Sequence, residues 1–208
     1  MKNIAKTAWK KEAQPGELIF HQTNEWRNTA GFMEQTIKLM EGFGYKRTMF
    51  KGQVIIDLGC GSKLRSKFFT DALIVGIEPL GSDFIKTVPW NDLNDAYKVF
   101  SAPAEKTIKE LEGAVKFIMC INVFDHMFDV DKVLENCYKY LQDDGEFLLS
   151  VDIHKETNPM HPVSLTPKKL VDKIKKSGFK IIRSTKGLGL VGDNYGHGIA
   201  YTHVLHLR

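Results

Sequence analysis

The sequence predicts an α/β fold in which a mainly parallel sheet is covered on both faces by helices, and three observations carry that prediction. Short, continuously apolar runs rich in β-branched residues recur along the chain, as in strands buried on both faces. Segments with helical spacing of apolar residues alternate with those runs. The first two runs end in an acidic residue, and the earlier one opens into glycines, which is how a ligand site is built at the strand ends of such a sheet.

Taken in order, residues 1 to about 17 are polar, contain Pro15 and Gly16, and are expected to form a loose arm. From Glu25 to Phe43, apolar residues at Phe32, Met33, Ile37, Leu39, Met40 and Phe43 recur at helical spacing, and Gly42 or Gly44 supplies the stop. QVIIDLGCG is a strand running into a glycine turn. LIVGIEP is a second strand, VKFIMCINVF a third, and FLLSVDI, after the turn residues Asp143, Asp144 and Gly145, a fourth. Between the last two, Asp131 to Leu141 places Val133, Leu134, Cys137 and Leu141 on one helical face. Thr166 and Pro167 predict a helix capped by threonine with proline in its first turn, ending at Gly178. FKIIRS and IAYTHVLHL read as two closing strands joined by the glycine-rich KGLGLVGDNYGHG, a connection that permits antiparallel pairing. The division expected is an N-terminal arm and lid helix over 1–44, followed by one domain over 45–208.

Composition narrows the function classes. With 43% hydrophobic and 26% charged residues the 208-residue chain is ordinary globular material, long enough for one substantial core. A net charge of +4 is too mild, and its lysines too interleaved with acids, to imply nucleic acid. The basic stretch Lys168, Lys169, Lys173, Lys175 and Lys176 falls on the outer side of an amphipathic pattern and reads as a solvated face. Cys60, Cys120 and Cys137 lie in interior or tight-turn segments, so a reducing, cytoplasmic setting is expected, and no apolar run approaches the roughly 18 residues of a membrane span.

The site signal begins at Ile55-Ile56-Asp57-Leu58-Gly59-Cys60-Gly61-Ser62. A carboxylate at a strand tip followed by glycines lets backbone approach a ligand closely. Glu78, at the tip of the next strand and about 20 residues on, stands where an acid accepts hydrogen bonds from ribose hydroxyls. Taken singly, Asp57 is also read as a strand-end carboxylate capping the next turn and Glu78 as a surface charge before proline. Their occurrence in two successive βα turns points to an adenosine-bearing ligand.

These residues resemble the Rossmann-like methyltransferases dependent on S-adenosyl-L-methionine (SAM), in particular the type 11 small-molecule group, closely over Gln53 to Ile153 and loosely beyond. SAPAEK is similar to the family's GDAE loop, CINVFDH to its strand-four stretch, and DKVLENCYKYLQDDGEFLLSVD to the helix, turn and strand that follow. The resemblance implies a three-layer fold with a mostly parallel seven-stranded sheet and an antiparallel C-terminal strand. It also implies SAM as cofactor, with Asp57, Gly59, Cys60 and Gly61 beside its methionine portion and Glu78 on the ribose. Pro79, Leu80, Ala104 and Glu105 are then expected around the adenine, and Asn122 on the same rim. Ser62 and Lys63 depart from the family's usual turn. Pro103 replaces a common aspartate, so adenine contacts are expected from the Ala104 backbone and apolar packing.

Methyl transfer from a sulfonium needs an aligned acceptor and, for a hydroxyl or ammonium, a proton acceptor. His126 follows the predicted strand end, His154 follows the next one and His161 lies in the loop after it; these are the candidate catalytic residues, with Asp125 and Asp152 nearby. Each histidine is also read as an anchor of its own loop or helix. Asp152, His154 and His161 are of metal-ligand type, but their spacing is irregular and no metal is assigned. In FHQTNEWRN, Arg27 is expected on the methionine carboxylate, and Trp26 either walls the pocket or joins the core. The function expected is methylation of a small molecule, sugar or natural product. The alternative is a SAM-binding regulatory or partner protein without catalysis. A nicotinamide oxidoreductase is disfavoured because GxGxxG is missing.

Overall fold

The computed structural model describes residues 6–7, 9–153, 157–188 and 201–208. β1 (Val54–Leu58) occupies the middle of a sheet because its apolar residues need cover on both faces: Ile55, Ile56 and Leu58 are all buried, and consecutive residues face opposite layers. It pairs in parallel with β2 (Leu73–Ile77) on one side and β4 (Val115–Ile121) on the other. β3 (Lys98–Phe100) extends the first side and β5 (Leu141–Asp152) the second, both parallel. β6 (Ile181–Leu188) and β7 (Tyr201–Leu207) complete the order β3-β2-β1-β4-β5-β7-β6, with β7 antiparallel to both its neighbours. This is the seven-stranded, mostly parallel sheet with an antiparallel C-terminal strand that the family resemblance implies.

Two buried clusters lie on opposite faces of the sheet. Ile56, Leu58, Val75, Ile118 and Leu149 meet Val133, Leu134 and Cys137 of α4 (Val130–Tyr140) and Leu170 and Ile174 of α5 (Pro167–Lys176). On the other face Ile55, Ile74, Phe117 and Leu148 meet Met40 of α2 (Ala30–Gly42) and Phe84 of α3 (Gly81–Thr87). The alternation of Ile55 and Ile56 between the clusters is the period-two geometry of a strand covered on both sides. The caps predicted for α5 hold: Thr166 Oγ1 accepts from Lys169 N at 3.3 Å, and Gly178 follows with φ +96°.

Three local expectations are corrected. The predicted loose arm is helical: a π-helical turn over Trp9–Ala13 runs into α1 (Gln14–Thr23). Pro15 sits in the first turn of α1, where its missing N–H leaves no helix bond broken. The helix expected from Glu25 starts at Ala30, preceded by a 3-10 turn over Glu25–Asn28. Asp143, Asp144 and Gly145 do not separate a turn from a strand; they lie within β5, at an irregularity where its register against β4 shifts between Val115 and Phe117.

The chain runs outward from β1 to β3, then crosses back to β4. The crossovers therefore leave β1 and β4 in opposite directions, and a crevice opens at their carboxyl ends. Among the described residues no helix is long and apolar enough to cross a membrane.

Candidate functional site

A cavity of about 550 Å³ fills that crevice. Its floor is the turn after β1, where Gly59 (φ +68°) and Gly61 (φ +60°) both adopt the left-handed backbone that glycine alone takes without strain. A Cβ on Gly59 would meet Val123 Cγ1 at 2.2 Å, and one on Gly61 would meet His21 Cε1 at 2.4 Å. The close packing of Val123 and His21 over the turn thus depends on the two glycines.

Glu78 ties the turn together. Its Oε2 accepts from Gly61 N and its Oε1 from Leu80 N, each at 3.0 Å, so one carboxylate bridges the β1 turn and the start of α3. A carboxylate has about four acceptor directions, so Glu78 keeps capacity for hydroxyls in the cavity it lines. Asp57 also lines the cavity, and its Oδ2 accepts from Ser66 N at 2.9 Å. Asp57 therefore fixes the following 3-10 turn (Arg65–Phe68), as its structural reading expects, and also stands on the crevice wall. Burial pushes Asp57 up to about 6 and Glu78 up to about 7, outweighing the backbone N–H groups that favour the charged forms.

One end of the cavity is cationic. Arg27 and Arg65, both nearly buried, lie over the ring of Phe32 with their guanidinium carbons 5.0 and 4.5 Å from its centroid. Arg65 also donates from Nη1 to Thr36 Oγ1 at 2.8 Å, which fixes its direction. Two like charges sharing one ring favour an anion between them. Trp26, by contrast, is 37% exposed against Phe32 and does not line the cavity. His21 reaches over from α1: its Nδ1 lies 2.8 Å from Ser62 Oγ and accepts from Ser62 N at 3.2 Å. Burial, and then the charge of Arg27, holds His21 well below the ordinary histidine value, so the ring is neutral and able to accept.

Cys60, Pro79, Leu80, Pro103, Ala104, Glu105 and Asn122 all stand on the wall. The loop after β3 is locked to α4: Glu105 Oε1 accepts from Phe128 N (2.9 Å) and Asp129 N (3.2 Å), and Ala104 O accepts from Asn136 Nδ2 at 2.9 Å. Asn122 has φ +54°, unusual for a non-glycine residue, and is held by Asn122 N→Ser150 O at 3.0 Å and by Ser150 Oγ→Asn122 Oδ1 at 3.1 Å.

On the same cavity wall the structure brings together residues far apart in sequence. Asp125 and His126 lie on a 3-10 turn after β4, Asp152 at the tip of β5, His161 in the loop beyond, and Glu17 on α1. Asp125, 2% exposed, has its Oδ2 2.8 Å from His161 Nδ1 and 3.9 Å from His126 Nε2. The two imidazole rings are 4.5 Å apart, and His126 Nδ1 lies 3.7 Å from Glu17 Oε1. His154, the third candidate catalytic histidine, lies outside the described residues. Arg65 and Glu17 were not among the candidates. Nothing in the sequence near Arg65 separates it from an ordinary surface arginine, and Glu17 fell in the segment taken for a loose arm.

The family model for the methyltransferase domain matches residues 26–181 of the chain. No curated protein matches it in sequence. Among solved structures the chain is similar to a SAM-dependent methyltransferase from Aquifex aeolicus, at 14% identity and TM-score 0.61, covering 93% of this chain and 97% of that one. It is similar also to a SAM-dependent methyltransferase from Leishmania major, at 10% identity and TM-score 0.63, covering 93% and 82%. A third similar structure is the 1,6-didemethyltoxoflavin-N1-methyltransferase of Burkholderia thailandensis with bound 1,6-didemethyltoxoflavin and S-adenosylhomocysteine, at 13% identity and TM-score 0.58, covering 88% and 80%. At such identities the likeness is one of fold.

Proposed function

Because the chain belongs to the methyltransferase-domain family, we propose that this SAM-dependent enzyme methylates a small-molecule acceptor of the sugar or natural-product kind. One observation carries the proposal: a single cavity is lined both by the glycine turn and Glu78 and by the Asp125–His161 pair. A Burkholderia enzyme of the same fold holds a small acceptor together with S-adenosylhomocysteine, which supports an acceptor of similar scale.

The donor set fits the cofactor. Glu78 would take the ribose hydroxyls, Arg27 and Arg65 the methionine carboxylate, and Asp57 the amino end. Pro79, Leu80 and Ala104 would enclose the adenine, with Glu105 bracing the loop that carries Ala104 and Asn122 closing the rim. SAM supplies a methyl group on a positively charged sulfur, ready for in-line displacement. His126 and His161 then activate the acceptor, with Asp125 holding His161 in place. The N-terminal segment through α2 serves as the lid, since α1 brings Glu17, Phe20 and His21 to the wall.

The experiment is calorimetry with S-adenosylhomocysteine, followed by transfer of labelled methyl from SAM to a panel of sugars and natural-product alcohols and amines. One-to-one binding is expected, weakened at least about tenfold, or about 1.4 kcal/mol, by Glu78→Ala. Association that is undetectable, or that survives Glu78→Ala and Arg27→Ala unchanged, defeats the proposal.

A further inference from the structure

The cluster at the acceptor end holds more ligand chemistry than a proton acceptor requires. Asp125, His126 and His161 each offer one donor atom, and these atoms all lie within 4.8 Å of one another. Around a first-row divalent ion with bonds of about 2.1 Å, neighbouring donors stand roughly 3 to 3.4 Å apart. The carboxylate-to-imidazole separations of 2.8 and 3.9 Å bracket that spacing, and the imidazole-to-imidazole pair lies within 4.8 Å.

The supports of these donors are fixed independently. His126 N bonds Val123 O at 3.0 Å in the 3-10 turn that directly follows β4. His161 is clamped by a reciprocal pair, His161 N→Asn158 Oδ1 at 2.8 Å and Asn158 N→His161 O at 3.1 Å. The second nitrogen of His126 faces Glu17 Oε1 at 3.7 Å, the carboxylate–histidine–metal arrangement by which an outer carboxylate sets the tautomer of a ligating imidazole. Asp125 is almost wholly buried, and a buried carboxylate favours a positive charge beside it.

We propose that Asp125, His126 and His161 bind a divalent transition-metal ion, and that this ion receives the hydroxyl oxygen of the acceptor. Two imidazoles and one carboxylate suit manganese, iron, cobalt or zinc better than the all-oxygen shells of magnesium or calcium. Three protein ligands leave positions open for the acceptor, which is therefore an alcohol, bound most firmly when a neighbouring oxygen completes a chelate. Coordination lowers the hydroxyl pKa, so its proton passes to solvent near neutral pH. The oxygen lone pair then forms the new O–C bond while the C–S bond breaks and its electron pair stays on sulfur. No oxidant or reductant is consumed, and the ion keeps its charge. The sequence expectation of no metal rested on spacing along the chain, which does not show that His161 folds back onto Asp125 and His126.

This inference rests on the cavity being the methyl-transfer site, and the test separates the two. Tag-free, chelator-treated full-length protein is titrated with cobalt(II) chloride and followed by visible absorption, with S-adenosylhomocysteine affinity measured on the same samples. One equivalent of cobalt should produce a visible band in the wild type. His161→Gln and Asp125→Asn should each weaken cobalt binding at least about 100-fold, while retained S-adenosylhomocysteine affinity shows that the variants fold. Absence of a band, or equal cobalt affinity in the variants, overturns the metal site. Loss of nucleoside binding with cobalt binding intact overturns the proposed function and leaves the metal site standing.

Discussion

At the scale of single residues, Asp57 and Glu78 each add a pH response of their own. Their ordinary values are 3.8 and 4.5, and burial raises them to about 6 and about 7. Through these two carboxyls the native state binds more protons than the unfolded chain, so their contribution to stability falls as pH rises through that interval and levels off above the higher value. His21, His203 and His206, which burial holds below their ordinary 6.5, act with the opposite sign. Each carboxyl accounts for on the order of 3 kcal/mol over the full window. Glu78→Gln removes one share, so its melting temperature relative to the wild type's should rise between about pH 5 and about pH 7.5; parallel slopes would refute this. Asp57, Gly59, Gly61 and Glu78 were legible in the sequence because strand tip, glycine and acid are consecutive or regularly spaced. Arg65 and Glu17 were not, because their places depend on how separate segments fold back over the crevice.

At the scale of elements the strands with strong apolar runs declared themselves, and β3 did not. Lys98–Phe100 is three residues long and at most half-buried, and it carries too little apolar pattern to register. The N-terminal helix was hidden for a different reason: Pro15 and Gly16 signal a turn in isolation, yet proline is also a natural first-turn residue. α1 lays its inner face on α3, with the rings of His21 and Phe84 4.4 Å apart, and supplies Glu17, Phe20 and His21 to the cavity wall. Deleting residues 1–23 should therefore leave the circular dichroism of the sheet in place while weakening S-adenosylhomocysteine binding at least about tenfold. Unchanged affinity in the truncated protein would show that α1 is no part of the cofactor pocket.

For the whole molecule, a ligand gripped by turns after β1, β2 and β4 ties the two halves of the sheet across the point where chain direction reverses. Saturation at about 100 times the dissociation constant adds about 2.7 kcal/mol to unfolding. For a domain of this size that corresponds to a melting shift of roughly 5 to 11 °C. Calorimetric scans with and without S-adenosylhomocysteine measure it, and a shift below about 1 °C at saturation contradicts binding across the sheet. The placement of β7 has another outcome, during synthesis. This strand leaves the ribosome after β6 but takes the place between β5 and β6. Until it emerges, the nascent chain carries two unzipped strand margins, one lined by Leu149 and Val151, that attract foreign strands. Translation stalled before Tyr201 thus leaves a sticky intermediate, which makes this stretch a natural client for chaperones.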